Sequence, residues 1–71
     1  MTFGEFARLK RIEAGKSQEV CARSLGLKHR ASCHRLEDGE RFWKLSQVFN
    51  FAKLIGTSAS ALLAEYEKYR T

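Results

Sequence analysis

The chain contains no proline, and four of its five glycines, Gly15, Gly26, Gly39 and Gly56, fall at intervals that cut it into short pieces. A glycine placed after a run of helix-forming residues takes the left-handed backbone that ends the helix. The pieces in between are too short for long helices. None shows the β-branched alternation of a strand, since Val and Ile occur only twice each. Glycine spacing alone therefore predicts several short helices joined by tight turns, an all-α fold.

The helix starts are as readable as the stops. In "TFGE", Thr2 and Glu5 have the spacing of a capping box, with Met1 and Phe6 available as a hydrophobic staple. Helix 1 is predicted over about Phe3 to Ala14. Ser17 caps a second helix, about Gln18 to Leu25, and a third covers about Arg30 to Asp38. A fourth runs from about Leu45 to Ile55, and Ser58 caps a fifth over about Ala59 to Tyr69.

Seventy-one residues are expected to make one domain over 1–71, with no linker, repeat or low-complexity segment. A chain of this size buries only about 60% of its unfolded surface and has little room for an enclosed active site with a supporting shell. No apolar run approaches the roughly 20 residues of a membrane span. Met1 leads straight into a helix start without a basic and apolar leader, so a cytoplasmic protein is expected. The net charge is +5, with a pI near 9.6. Eleven of the thirteen basic residues lie between Arg8 and Lys53, with only five of the eight acids. That balance fits a polyanionic partner, nucleic acid before an anionic membrane surface.

The segment "QEVCARSLGLKHRASCHRLE" constrains the middle of the chain. Ala22 is followed four residues later by Gly26, and apolar residues return at Leu27, Cys33 and Leu36. A helix-turn-helix, here about 18–38, needs these features. The small Ala22 lets a second helix cross closely, and Gly26 takes positive φ without steric cost. Cys33 and Leu36, at i and i+3, anchor the second helix from beneath and leave its other face free.

With these residues in register, the chain resembles the Cro/CI-type (XRE) helix-turn-helix regulators of phage and bacteria. The likeness runs through "FGEFARLKRIEAGKSQE", "ARSLGL", "RLEDGER" and "LSQVFNFAKLIGTSASALL", nearly the whole chain. It implies a compact five-helix, lambda-repressor-like DNA-binding domain, usually dimeric, whose third helix enters the major groove. By position, the resemblance makes Arg30, Ala31, Ser32 and Arg35 the base-reading residues, with His34 at the edge of that face. Either arginine suits guanine O6 and N7, Ala31 suits a thymine methyl, and Ser32 is permissive. Gln18 matches a phosphate-anchoring glutamine at a helix N-terminus. Lys28, His29, Arg41 and Lys44 fall among the phosphate contacts, which fix register without reading sequence. Arg11 and Glu37 match an internal salt bridge that holds the reading helix in place.

The chain also departs from the family pattern. The stretch from Gly26 to Glu37 is one residue longer than usual. Ala7 and Lys10 stand where larger apolar residues are common, while Phe6 and Leu9 occupy usually polar positions. Phe42 and Trp43 replace a polar–proline pair. Either helix 1 repacks to cover these groups, or they form an apolar surface for a partner. In the last helix, Leu62, Leu63, Tyr66 and Tyr69 lie broadly on one side. Leu62 and Leu63 complete the core, or the tyrosines with one of the leucines form a symmetric dimer seam.

The two cysteines and two histidines within fourteen positions raise other chemistries. Structural zinc sites use close pairs such as C-x₂-C and H-x₃-H, whereas Cys21 and Cys33 are twelve apart. A Cys–His nucleophile needs an exposed thiol, an oriented base and an oxyanion hole. His34, next to Cys33, diverges from it by about 100° on a helix, and nothing supplies the hole. The cysteines read as core, and neither catalysis, a metal nor a cofactor is expected. The expected function is a sequence-specific regulator of transcription, most simply a repressor, binding a pseudo-palindromic double-stranded DNA operator as a homodimer. The rival is a protein-interaction module, antitoxin-like or a scaffold, that binds a protein partner through Phe6, Leu9, Phe42 and Trp43.

Overall fold

The computed structural model describes residues 1–69. The described residues form five helices and no strand: α1 Phe3–Glu13, α2 Gln18–Ser24, α3 Arg30–Asp38, α4 Leu45–Ile55 and α5 Ala59–Tyr69. The first two stop one residue short of the predicted ends, with Ala14 and Leu25 as C-caps. Three hydroxyls set the starts. Thr2 Oγ1 accepts from the Glu5 amide at 3.1 Å, Ser17 Oγ from Val20 at 3.1 Å and Ser58 Oγ from Ala61 at 3.2 Å. Met1 is exposed, and Phe6 lies against the rings of Phe3 and Tyr69.

All four punctuating glycines have positive φ. At Gly26 the left-handed turn lets the Leu27 amide reach back to the Ala22 carbonyl at 2.8 Å, which closes α2. The fifth glycine has a different task. A Cβ on Gly4 would stand 2.4 Å from the Leu36 carbonyl oxygen and 2.6 Å from that of Glu37. Its missing side chain lets α1 pack directly on the last turn of α3.

The core draws on every helix. Phe3 and Ala7 come from α1, Cys21 and Ala22 from α2, Cys33 and Leu36 from α3, Val48, Phe51 and Ala52 from α4, and Leu62 from α5. Trp43, between α3 and α4, joins them edge-on to Phe3 and Phe51, with ring centroids 5.0 and 5.4 Å away. Its indole Nε1 donates to the Leu36 carbonyl at 3.2 Å, a second donor to an acceptor in the last turn of α3 that also receives the Gly39 amide at 3.4 Å.

The apolar residues of α1 divide between core and surface. Ala7 is fully buried, and Phe6 is half-buried on the core. Lys10 sits over the Phe6 ring and pairs with Glu13 at 3.3 Å. Leu9 stays exposed. The adjacent Phe42 and Trp43 separate completely, at 96% and 8% exposure.

Candidate nucleic-acid interface

The site is built on α3. Three residues of this helix turn inward: Cys33, Leu36 and Glu37. The helical repeat then directs Ala31, His34, Arg35 and Asp38 outward, and each is exposed. Arg30, at the first position, is exposed on the flank, and Ser32 is half-buried on the other. The helix therefore presents two guanidiniums, an imidazole and a small methyl group from one rigid element.

Gly26, Leu27, Lys28 and His29 span the turn, and His29 is the N-cap in extended backbone without a side-chain capping bond. Lys28 and His29 are exposed there. With Arg23 and Arg30 they border a concavity of about 280 Å³ whose lining also includes Ala22, Leu27 and the acid Glu19. Arg23 was not among the residues the sequence singled out. It sits in the last turn of α2, and only the close α2–α3 crossing brings it beside the start of α3. On the far side of α3, Arg41 and Lys44 are exposed in the connection to α4. Lys44 is the α4 N-cap, its amide held by Gln47 Oε1 at 2.8 Å.

Beneath the exposed face lies a buried polar cluster. Arg11 Nε donates to Glu37 Oε2 at 2.6 Å, and its Nη2 reaches Oε1 at 3.4 Å. Arg11 Nη1 donates to the Lys16 carbonyl at 2.7 Å. Gln18 Nε2 donates to Glu37 Oε1 at 3.0 Å, and the Cys33 thiol lies 3.6 Å from Oε2. One carboxylate thus ties together α1, α2 and α3. Gln18 is not a free phosphate anchor, because its amide is already committed inward to Glu37. One N–H and the carbonyl oxygen of that amide remain for an outward contact.

The Glu37 hydrogen bond raises the Arg11 pKa against the opposing effect of burial. Cys33 is pushed far above the ordinary thiol range, first by its hydrogen bond with the Cys21 thiol, then by burial and the Glu37 charge. Both cysteines are free and buried. Among the described residues, no group of three or more His, Cys, Asp and Glu side chains is arranged to hold a metal ion.

The sequence reading also missed Asp38. Its carboxylate lies 2.9 Å from His34 Nε2 on the exposed face of α3. The i, i+4 spacing of the pair is the signal that the sequence carries for it. Of the residues considered for a dimer seam, Leu62 is buried in the core and unavailable to a partner. Leu63 is half-exposed. Tyr66 packs edge-on against Phe3, and its hydroxyl donates to the Trp43 carbonyl at 3.3 Å. Tyr69 packs against Phe6.

No protein-family model matches the chain, and no curated protein or solved structure shows significant similarity to it. No helix among the described residues is long and apolar enough to cross a membrane.

Proposed function

We propose that this protein is a sequence-specific regulator of transcription of the lambda-repressor-like helix-turn-helix type. It binds a pseudo-palindromic double-stranded DNA operator as a homodimer, with α3 in the major groove, and acts as a repressor. The observation that carries this reading is the division of α3. Cys33, Leu36 and Glu37 lock one face into the protein, while Arg30, Ala31, His34 and Arg35 are exposed on the rest. Exposed basic side chains flank the helix at both ends, Lys28 and His29 before it and Arg41 and Lys44 after it. That arrangement separates base reading from phosphate anchoring, as a duplex reader requires. It uses no catalytic group, metal or cofactor.

Selection of bound sequences from a random duplex pool, with affinity followed against salt, tests the reading. The expected result is a two-fold symmetric motif with half-sites about 34 Å apart. Weak binding with no enriched motif, lost steeply as salt rises, would reduce the basic charge to general polyanion affinity and overturn the proposal.

Full exposure of Phe42, with Leu9 at 46%, favours one second reading, a docking module for another protein. Trp43 and Phe6 cannot serve it fully, since one is buried and the other is half-buried on the core. Loss of partner binding in Phe42→Ser with DNA binding retained would support this reading.

A further inference from the structure

Phe42 is the most exposed large apolar side chain among the described residues. It stands on the rim of a concavity of about 210 Å³ whose walls include Phe3, Trp43, Tyr66 and Tyr69. We infer that two copies of this chain meet here, Phe42 of each copy seating in the aromatic concavity of the other.

One observation favours a second copy as the occupant, and two more show that a phenyl ring suits the concavity. A two-fold interface uses the same patch on both partners, so the patch must carry both the projection and the recess that receives it. This one does, because Phe42 itself lines the edge of the concavity. The size also fits, since an apolar cavity of about 150 Å³ takes up benzene. Finally, the walls are rings that already meet edge to face, Phe3 with Trp43 and with Tyr66. An inserted phenyl continues that packing.

Area and charge set the strength of the pairing. An aromatic side chain buries about 150–250 Å². Two rings and their two receiving walls therefore cover on the order of 800 Å², below the roughly 1,200 Å² of stable interfaces. Each copy carries +5, and Arg41 lies at the rim of the concavity. Mutual repulsion weakens the pairing further at low salt. The free protein is thus mainly monomeric when dilute, and it pairs when concentrated or when a polyanion neutralises the repulsion. The inference supplies the pairing surface of the proposed operator-bound dimer and rests on that reading for its purpose. Association of two copies needs no DNA.

Sedimentation velocity of the DNA-free protein tests this, comparing wild type with Phe42→Ser up to about 1 mM, a concentration that reveals weak pairing. The expected result is reversible dimerisation that strengthens with added salt and is weakened at least about tenfold by the substitution. An isotope-mixed sample should show intermolecular nuclear Overhauser effects from Phe42 to Tyr66 or Trp43. Because Phe42 touches so little of its own chain, Phe42→Ser should keep the wild-type circular dichroism. A wild type that stays monomeric throughout, equal dimerisation of Phe42→Ser, or intermolecular contacts mapping elsewhere would overturn the inference. Operator binding that is cooperative and insensitive to Phe42→Ser would refute this surface and leave the DNA reading standing. Phe42-dependent pairing in a protein that selects no duplex would do the reverse.

Discussion

Gly4→Ala sets two effects of known sign against each other. Alanine is the better helix former, by up to about 1 kcal/mol. Against this stand the distances of 2.4 and 2.6 Å from the added Cβ to the carbonyl oxygens of Leu36 and Glu37. Ordinary close contacts between carbon and carbonyl oxygen are about 3.3 Å or longer, so α1 must retreat from α3 by most of an ångström. The obstructing atoms are backbone, and the Leu36 carbonyl is further held by the Trp43 indole. Overpacking of this kind costs about 1–3 kcal/mol. The retreat also pulls Arg11, two turns along α1, away from its 2.6 Å contact with Glu37. The net expectation is a loss of about 2 kcal/mol, or roughly 10 °C in Tm for a domain of this size. Thermal and urea denaturation followed by circular dichroism read it directly. Gly15→Ala is the control: its φ is +71° with nothing near the added Cβ, so only left-handed strain of about 1 kcal/mol applies. In an Arg11→Met background the Gly4→Ala cost should shrink, because the ion pair is no longer there to lose. A Gly4→Ala protein as stable as wild type, or no worse than Gly15→Ala, would refute the close-approach argument.

Other parts of the structure yield further expected outcomes. Glu37→Ala leaves the buried Arg11 guanidinium without its carboxylate and should cost about 3–5 kcal/mol by urea denaturation, with Arg11→Met plus Glu37→Leu recovering most of the loss. Arg30→Ala and Arg35→Ala should leave the fold intact and each relax operator preference at one position, by about 1–3 kcal/mol in competition binding. Asp38→Asn removes an anion from the exposed face of α3 and releases His34, so affinity for all duplexes should rise in filter binding, most at low salt. The raised Cys33 pKa has a definite sign. Above about pH 8.5 the unfolded chain releases that proton while the folded chain keeps it, so stability falls by at most about 1.4 kcal/mol per pH unit. The shared hydrogen bond that raises Cys33 lowers Cys21, so the Cys21→Ala plus Cys33→Ala double variant, rather than either single one, should flatten that alkaline slope.

What was legible in the sequence was what depends on local backbone chemistry. Four glycines placed the ends of α1 to α4, and three hydroxyl caps the starts of α1, α2 and α5, to within a residue, because such signals act within one turn. What was not legible depends on which groups come together across the fold. Gly4 carries no local signature, and its role exists only because the end of α3 passes over it. Phe42 and Trp43 are neighbours of similar hydropathy, yet one is core and the other solvent-exposed. Buried beside the Leu36 carbonyl, the indole makes a hydrogen bond that a phenyl ring cannot. The purpose of Gln18 is likewise decided by Glu37, nineteen residues away.

These long-range contacts are unevenly distributed along α3. At its C-terminal end, Glu37 is held by Arg11 and Gln18, the Leu36 carbonyl accepts from Trp43, and the Gly4 backbone sits against both carbonyls. At its N-terminal end, His29 contributes no side-chain cap, and the exposed Arg30 and Ala31 follow it. A helix clamped at one end and open at the other has its axis fixed by the protein and its free end left to a ligand. The open end is also where unpaired backbone N–H groups and four nearby basic side chains, Arg23, Lys28, His29 and Arg30, gather. In the proposed reader, the buried cluster therefore sets the angle at which α3 approaches a duplex, while the uncapped end settles its final ångström of fit on the phosphates. Weakening the cluster should degrade discrimination among operators before it abolishes affinity, because the cations that supply affinity lie outside it.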